Sequence, residues 1–411
     1  MTPFPTTTIR NVSDLVTKGT TPTSMGRRFT QSGIRFIKVE TIGTDGQYLA
    51  DKGAFIDADT HNLLRRSQLR EGDILFSIAG ALGRSTVVQA SWLPANTNQA
   101  FAVIRPSQHS QIDPRYLLWA LRSDAIQTRV AEINVRAAQA NLSLAQVREF
   151  EIAIPEPQNQ GRIANVLDDA TDLTAALRCL IAKKHAIRQG MMQQLLTGKT
   201  RMPGFTGGWS THRLHQLGTF LKGRGITRDD VRGSGVACIR YGELYTTFRE
   251  YTATAVSFVT PSVAVTALPL RQGDLLFAGS GETHKEIGMC VAFTGGQRAV
   301  AGGDIIVLRA PGINPVYLSS LMNTPQVAAQ KARLGQGDAV VHINSRALAS
   351  IEVDLPSRSE QDAIAEVIVD TDSDIRQVEV WLTKAEAIKR GMMQELLTGH
   401  TGLPVTERVA A

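Results

Sequence analysis

The chain has 411 residues, 43% of them hydrophobic, enough for two or three domains with cores of their own. Its net charge of +6 at pH 7 permits a nucleic-acid partner without requiring one. No apolar run is long enough for a membrane span, Met1 to Thr20 lacks the core of a secretion signal, and the scattered Cys179, Cys238 and Cys290 have neither disulfide nor metal-site spacing, so a cytoplasmic protein is expected.

Residues 1–154 read as mixed strand and helix. Ile34 to Val39 is a strand, Gly72-Asp73 turns into a strand ending at Ser77, and Thr86 to Val88 and Phe101 to Ile104 are two more. Asp113-Pro114 opens a helix, with aspartate as N-cap and proline in the first turn, and Tyr116, Leu117, Leu118 and Leu121 on its apolar side. The segment closes on an alternating strand from Phe150 to Ile154, stopped by Pro155.

Residues 155–203 then carry apolar side chains three and four apart, among them Ile163, Val166, Leu167, Leu173, Leu177, Leu180, Ile187, Met191 and Leu195. Pro157 marks the start of the helix and Gly198 the C-cap. A helix of about 40 residues is roughly 60 Å long, far beyond a usual globular helix, and its narrow stripe calls for a partner.

Residues 204–355 repeat the first plan. Val236 to Tyr241, Gly273-Asp274 into Phe277, Ile305 to Leu308, Asn314-Pro315 and Ile351 to Leu355 answer the elements above. Residues 356–404 repeat the long helix without a gap, 201 positions on, and 405–411 form a short tail. The two helix ends read Gly190-Met191-Met192-Gln193-Gln194-Leu195-Leu196-Thr197-Gly198 and Gly391-Met392-Met393-Gln394-Glu395-Leu396-Leu397-Thr398-Gly399. Each copy is the obvious partner of the other. The loops do not repeat: Ala81 to Asn98 and Gly281 to Gly302 differ in length and composition. One framework with two sets of loops suggests one architecture reading two different things.

The doubled helix end, the Gly-Asp-x-Leu-Phe turn and the order unit, helix, unit, helix resemble the specificity subunit of type I restriction–modification enzymes over essentially the whole chain. The resemblance implies an α+β protein. Residues 1–154 and 204–355 are expected to be target recognition domains of mixed α/β structure. Residues 155–203 and 356–404 are expected to be spacer helices packed as an antiparallel coiled coil, with pseudo-two-fold symmetry. It further implies a subunit without a catalytic centre, which reads a split double-stranded DNA site and docks two methyltransferase (modification) subunits and the restriction, translocating subunits. S-adenosylmethionine, ATP and Mg are expected on those partners, and no cofactor or metal on this chain.

Phosphates are met by Lys and Arg, and base edges by Arg, Asn and Gln. In the first unit Arg27, Arg28, Lys38, Arg84, Asn98, Gln99, Arg136 and Gln139 are the candidates. In the second they are Lys222, Arg224, Arg228, Arg232, Arg240, Tyr241, Lys285, Arg298, Arg333, Gln336 and His342. Methionine suits adaptable binding surfaces, so Gly190, Met191, Met192, Gly391, Met392 and Met393 are candidates for holding the modification subunits; the alternative is that these methionines fill the helix seam. Gly198-Lys199-Thr200 lacks the rest of a phosphate loop. Asn314-Pro315-Val316-Tyr317, which is similar to an adenine methyltransferase motif, is better explained as a helix start, like Asp113-Pro114-Arg115-Tyr116. The rival functions are a self-contained methyltransferase or nuclease, and a scaffold that never touches DNA.

Overall fold

The computed structural model describes residues 4–136, 141–337 and 340–401. Two compact units emerge, one made of residues up to Arg178 together with Val380 onward, the other of Cys179–Glu379. Each therefore holds one mixed α/β body and parts of two long helices, Pro157–Leu195 and Arg358–Thr398. The glycines that follow the helices, Gly198 and Gly399, have φ of 69° and 80°, the left-handed geometry expected of them.

In the first unit an antiparallel sheet runs in the order Ser13–Lys18, Phe101–Pro106, Ile74–Ser77, Ser85–Val87. A second sheet pairs Ala54–Ile56, Ile34–Ile37 and Ala95–Thr97. The expected strand from Ile34 stops at Ile37, because Val39–Thr41 closes into a short 3₁₀ turn whose Thr41 hydroxyl donates to the Lys38 carbonyl. The helix Pro114–Leu121 starts as predicted, with the Asp113 carboxylate accepting the Arg115 N–H. Ile74, Phe76, Ile104, Tyr116 and Leu117 are wholly buried, and Ile163, Ala164 and Leu167 of the first long helix and Leu396 and Leu397 of the second complete the same core.

The second unit repeats the order with more strands. Thr219–Lys222, Ile305–Arg309, Leu275–Ala278, Cys290–Phe293 and Tyr251–Thr252 make one sheet; Ser257–Val259, Val236–Ile239, Ala299–Ala301 and Leu268–Pro269 make another. Here too the first predicted strand is shortened: it ends at Ile239, and Tyr241 opens the helix Tyr241–Thr246. Asn314 caps Pro315–Met322 through the Tyr317 N–H, which accounts for the Asn-Pro-Val-Tyr run as a helix start. Leu195 at the end of one long helix, Leu196 just after it, and Ile364 and Ile368 from the other helix enter its core.

The same two devices recur in both units, with Asp73 and Asp274, and Gln160 and Gln361, 201 positions apart. Asp73 is buried and held by both arms of Arg105 at 2.7 Å; Asp274 is buried and held by Arg309 at 2.8 Å. Gln160, buried at the start of the long helix, accepts the Asp113 N–H (2.8 Å) and donates to the Pro155 carbonyl (3.0 Å). Gln361 does the same with the Asn314 N–H (3.0 Å) and the Pro356 carbonyl (3.0 Å). One amide thus ties the last strand, the capped helix and the long helix of each unit together.

Candidate nucleic-acid interface

In the first unit the loop carrying Arg27 and Arg28 lies against the loop of Asn98 and Gln99. The Gly19 N–H donates to the Asn98 carbonyl (3.1 Å), and Thr21 donates through its hydroxyl to the Gln99 side chain. Arg27, Arg28 and Gln99 are exposed there. Lys38 sits 4.7 Å above the Phe29 ring and 3.6 Å from Glu40. The cap bonds from Thr60 hold the Asp57 carboxyl below its ordinary range, and the nearby Arg27 adds to this. Arg84 is occupied otherwise: its guanidinium donates to the Val39 (3.2 Å) and Ile42 (2.6 Å) carbonyls, so it pins a turn. The Asn98 carboxamide caps the Ala100 N–H. Arg136 ends the helix Asp124–Arg136, and Gln139 lies outside the described residues.

In the second unit four of the eleven candidates, Arg228, Arg240, Tyr241 and Lys285, lie around one short helix. Tyr241–Thr246 separates two clefts of about 550 and 640 Å³. Arg228, Arg240 and Tyr241 line the smaller; Tyr241 and Lys285 line the larger. Tyr241 is 41% exposed, a large aromatic surface for a side chain with no core to fill. Arg240 is half-committed, 2.9 Å from the buried Glu243, which also accepts from Ser257. Arg232 donates to the backbone carbonyls of Asp229 and Val231. Gln336 and His342 exchange backbone hydrogen bonds, and the His342 ring meets the Ser280 hydroxyl at 2.9 Å. Lys222, Arg224, Arg298 and Arg333 are exposed outside both clefts.

The pattern of residue types missed three buried groups. The locking glutamines were visible as an identity within the repeat, Gln160 and Gln361. Arg188 meets Asp372 (2.5 Å) and Glu250 (2.7 Å) inside the second unit; burial opposes its charge, but the two carboxylates outweigh this and raise its pKa. Lys331 is 2% exposed and donates to the Gly288 carbonyl at 2.6 Å; burial pushes its pKa down to about 8.

The long helices present apolar surface as well. In the first unit Leu173, Leu177, Trp381, Ile388 and Met392 line a groove of about 580 Å³, with Trp381 55% and Ile388 58% exposed. Leu180 and Ile187, their repeat equivalents, are exposed in the second unit. Met392 and Met393 pack partly buried on the first core, Met191 and Met192 on the second, while Gly190 and Gly391 face open space. No helix among the described residues is long and apolar enough to cross a membrane.

The protein thus has two bodies with a repeated framework and loops that do not repeat, and comparison with known proteins finds similarity to one group. Residues 6–189 match the family described as type I restriction modification DNA specificity domain. Two curated proteins similar in sequence to this chain are named as specificity subunits of type I restriction enzymes. It is 23% identical to the putative type I restriction enzyme MjaX specificity subunit of Methanocaldococcus jannaschii, over 89% of this chain and 87% of that one. It is 25% identical to the type I restriction enzyme EcoBI specificity subunit of Escherichia coli, over 41% of this chain and 36% of that one. Among solved structures, the S subunit of a type I restriction–modification system from M. genitalium aligns with a TM-score of 0.60 and 14% identity, covering 97% of this chain and 99% of that one. The HsdS subunit from Thermoanaerobacter tengcongensis aligns with a TM-score of 0.53 and 15% identity, covering 97% of each chain. A chain from a type I R-M system studied for its assembly and conformational transition reaches 0.62 at 16% identity, covering 98% of this chain and 99% of that one. At these identities the structures speak for the fold.

Proposed function

We propose that this chain is the DNA sequence-specificity subunit of a type I restriction–modification complex. Each recognition unit reads one half of a bipartite target, and the subunit docks methyltransferase and restriction subunits. The observation that carries this is the repeat itself: two units share the Asp–Arg pair and the glutamine lock, yet the loops Ala81 to Asn98 and Gly281 to Gly302 differ in length and composition. A stiff connection between the readers sets the spacer; a flexible one could not. Ion pairs within each unit support an antiparallel helix pair with pseudo-two-fold symmetry. Arg178 pairs with Glu386 in the first unit; in the second, Lys184 pairs with Asp374 (3.2 Å) and Arg188 with Asp372, partners receding along one helix as they advance along the other. Exposed Trp381 and Ile388 offer the apolar surface that a partner subunit would cover. The chain itself supplies recognition and no chemistry; methyl donor, ATP and Mg belong to the partner subunits.

Mapping methylated bases across the host genome, with the gene intact and deleted, tests this directly. A split motif methylated in both halves disappears on deletion, and seven residues inserted after Leu177 change its spacer. Methylation of DNA by the purified chain alone, with S-adenosylmethionine, overturns the reading.

A further inference from the structure

The larger cleft of the second unit lies where the repeat carries a pair of substitutions. In the first unit Gln127, on the helix Asp124–Arg136, reaches the loop glycine Gly83 and donates to its carbonyl (3.4 Å) and to that of Leu121 (2.9 Å). One turn on stands the buried apolar Val130. In the second unit the equivalent helix is Pro325–Leu334. Ala328 replaces the glutamine, and Lys331 replaces the valine and caps the equivalent glycine carbonyl, that of Gly288. The plug is gone, and a donor stands in its place.

We propose that the cleft between the helices Tyr241–Thr246 and Pro325–Leu334 receives a nucleobase that is not stacked in a duplex. This deepens the specificity reading and rests on it. Tyr241 and Tyr245 are four residues apart on one helix, hence on one face, and both line the cleft with Met289. A flat heteroaromatic ring gains most from such walls, and every base has a π-face to offer. Lys331, at 2% exposure, lines the cleft too; its ammonium has three N–H groups, of which Gly288 takes one. Such a donor is directed at ring nitrogens or carbonyl oxygens. Glu282 and Glu286 lie on the same lining and are exposed, which suits exocyclic amino groups, and with Lys285 and Lys331 beside them the lining carries charged acceptors and charged donors in equal number. The volume of about 640 Å³ falls within the ~300–1,000 Å³ usual for small-ligand sites.

The test uses the full chain with three probes: a paired duplex, the same duplex with one unpaired adenine, and free adenosine. Ala328→Gln restores the plug of the first unit and is compatible with a helix; Tyr241→Ala removes one wall from an exposed position. The wild type should prefer the bulged duplex by about tenfold, the scale of one base–aromatic stack. Both variants should lose that preference, with Ala328→Gln keeping its affinity for the paired duplex. If adenosine binds the wild type but not Ala328→Gln, and no bulge preference exists, the cleft takes a nucleobase supplied free. If Ala328→Gln matches the wild type on bulged duplex and adenosine while paired duplex still binds, the cleft proposal fails and the specificity reading stands. If the wild type binds no duplex at all, the specificity reading fails and takes this proposal with it.

Discussion

The two units solve one problem differently: how to hold a recognition body to a long helix. In the second unit the joint is a buried charge cluster, Arg188 on one long helix, Asp372 on the other and Glu250 on the body. In the first, position 188 of the repeat becomes Lys389, whose ammonium lies 5.2 Å from the Trp119 ring. Arg122 lies 5.1 Å from the same ring and donates to the Ser85 (2.6 Å) and Asp45 (3.0 Å) carbonyls, and the Trp119 N–H donates to Asp168 at 2.9 Å. Burial pulls the Arg122 pKa down to about 10, and Lys389 is lowered too, by burial first and by Arg122 and Arg178 beside it. The second unit has Ser320 where Trp119 stands, its buried hydroxyl without a partner among the described residues. The lesson is that a repeat preserves where a joint sits, not what makes it.

The sharpest break of this comparison is Arg188→Met set beside Lys389→Met. The first strands the buried Asp372 and the half-buried Glu250, which costs about 3–5 kcal/mol; the second removes a partly exposed cation from a ring, worth about 1 kcal/mol. Hydrogen exchange, read peptide by peptide, should show loosening across residues 179–379 for Arg188→Met and little change anywhere for Lys389→Met. Equal effects would mean the charge cluster is no stronger than the aromatic joint. A second pair tests the part that does repeat. Asp73→Asn and Asp274→Asn each leave an arginine without its carboxylate, and each should lose about 2–3 kcal/mol. A difference above about 1 kcal/mol in chemical denaturation would show that the shared pair carries unequal strain. A pH-dependent effect, confined to alkaline solution, concerns Lys331. Its folded pKa of about 8 lies below the unfolded value of about 10.4, so the folded chain sheds this proton first as pH rises. The burial cost is full below pH 8 and is relieved between about pH 8 and 10.4. Against Lys331→Met, the wild type should gain on the order of 3 kcal/mol across that window; Val130 in the first unit provides no such dependence.

Much of the framework was legible in the chain. The Asp113 and Asn314 caps, the turns at Gly72 and Gly273, and the extent of both long helices depend on neighbours a few residues apart, and local rules read them. Interface residues were harder. Arg84 looks like any surface arginine until Val39 and Ile42 come to lie beneath it, and nothing near Lys331 in the sequence marks it as buried. Arg188, Asp372 and Glu250 meet across separations of 62 and 184 residues, beyond any periodicity. A motif can nominate a charge; only the fold decides whether water or a carbonyl receives it.

The division of the chain has a consequence in time. The second unit is one continuous stretch, Cys179–Glu379, but the first waits for residues after Val380, because Leu396 and Leu397 are part of its core. On the ribosome the body begun first is finished last. A premature stop near residue 380 would therefore spare the younger unit and leave the older one unsealed, its apolar interior open to chaperones and proteases.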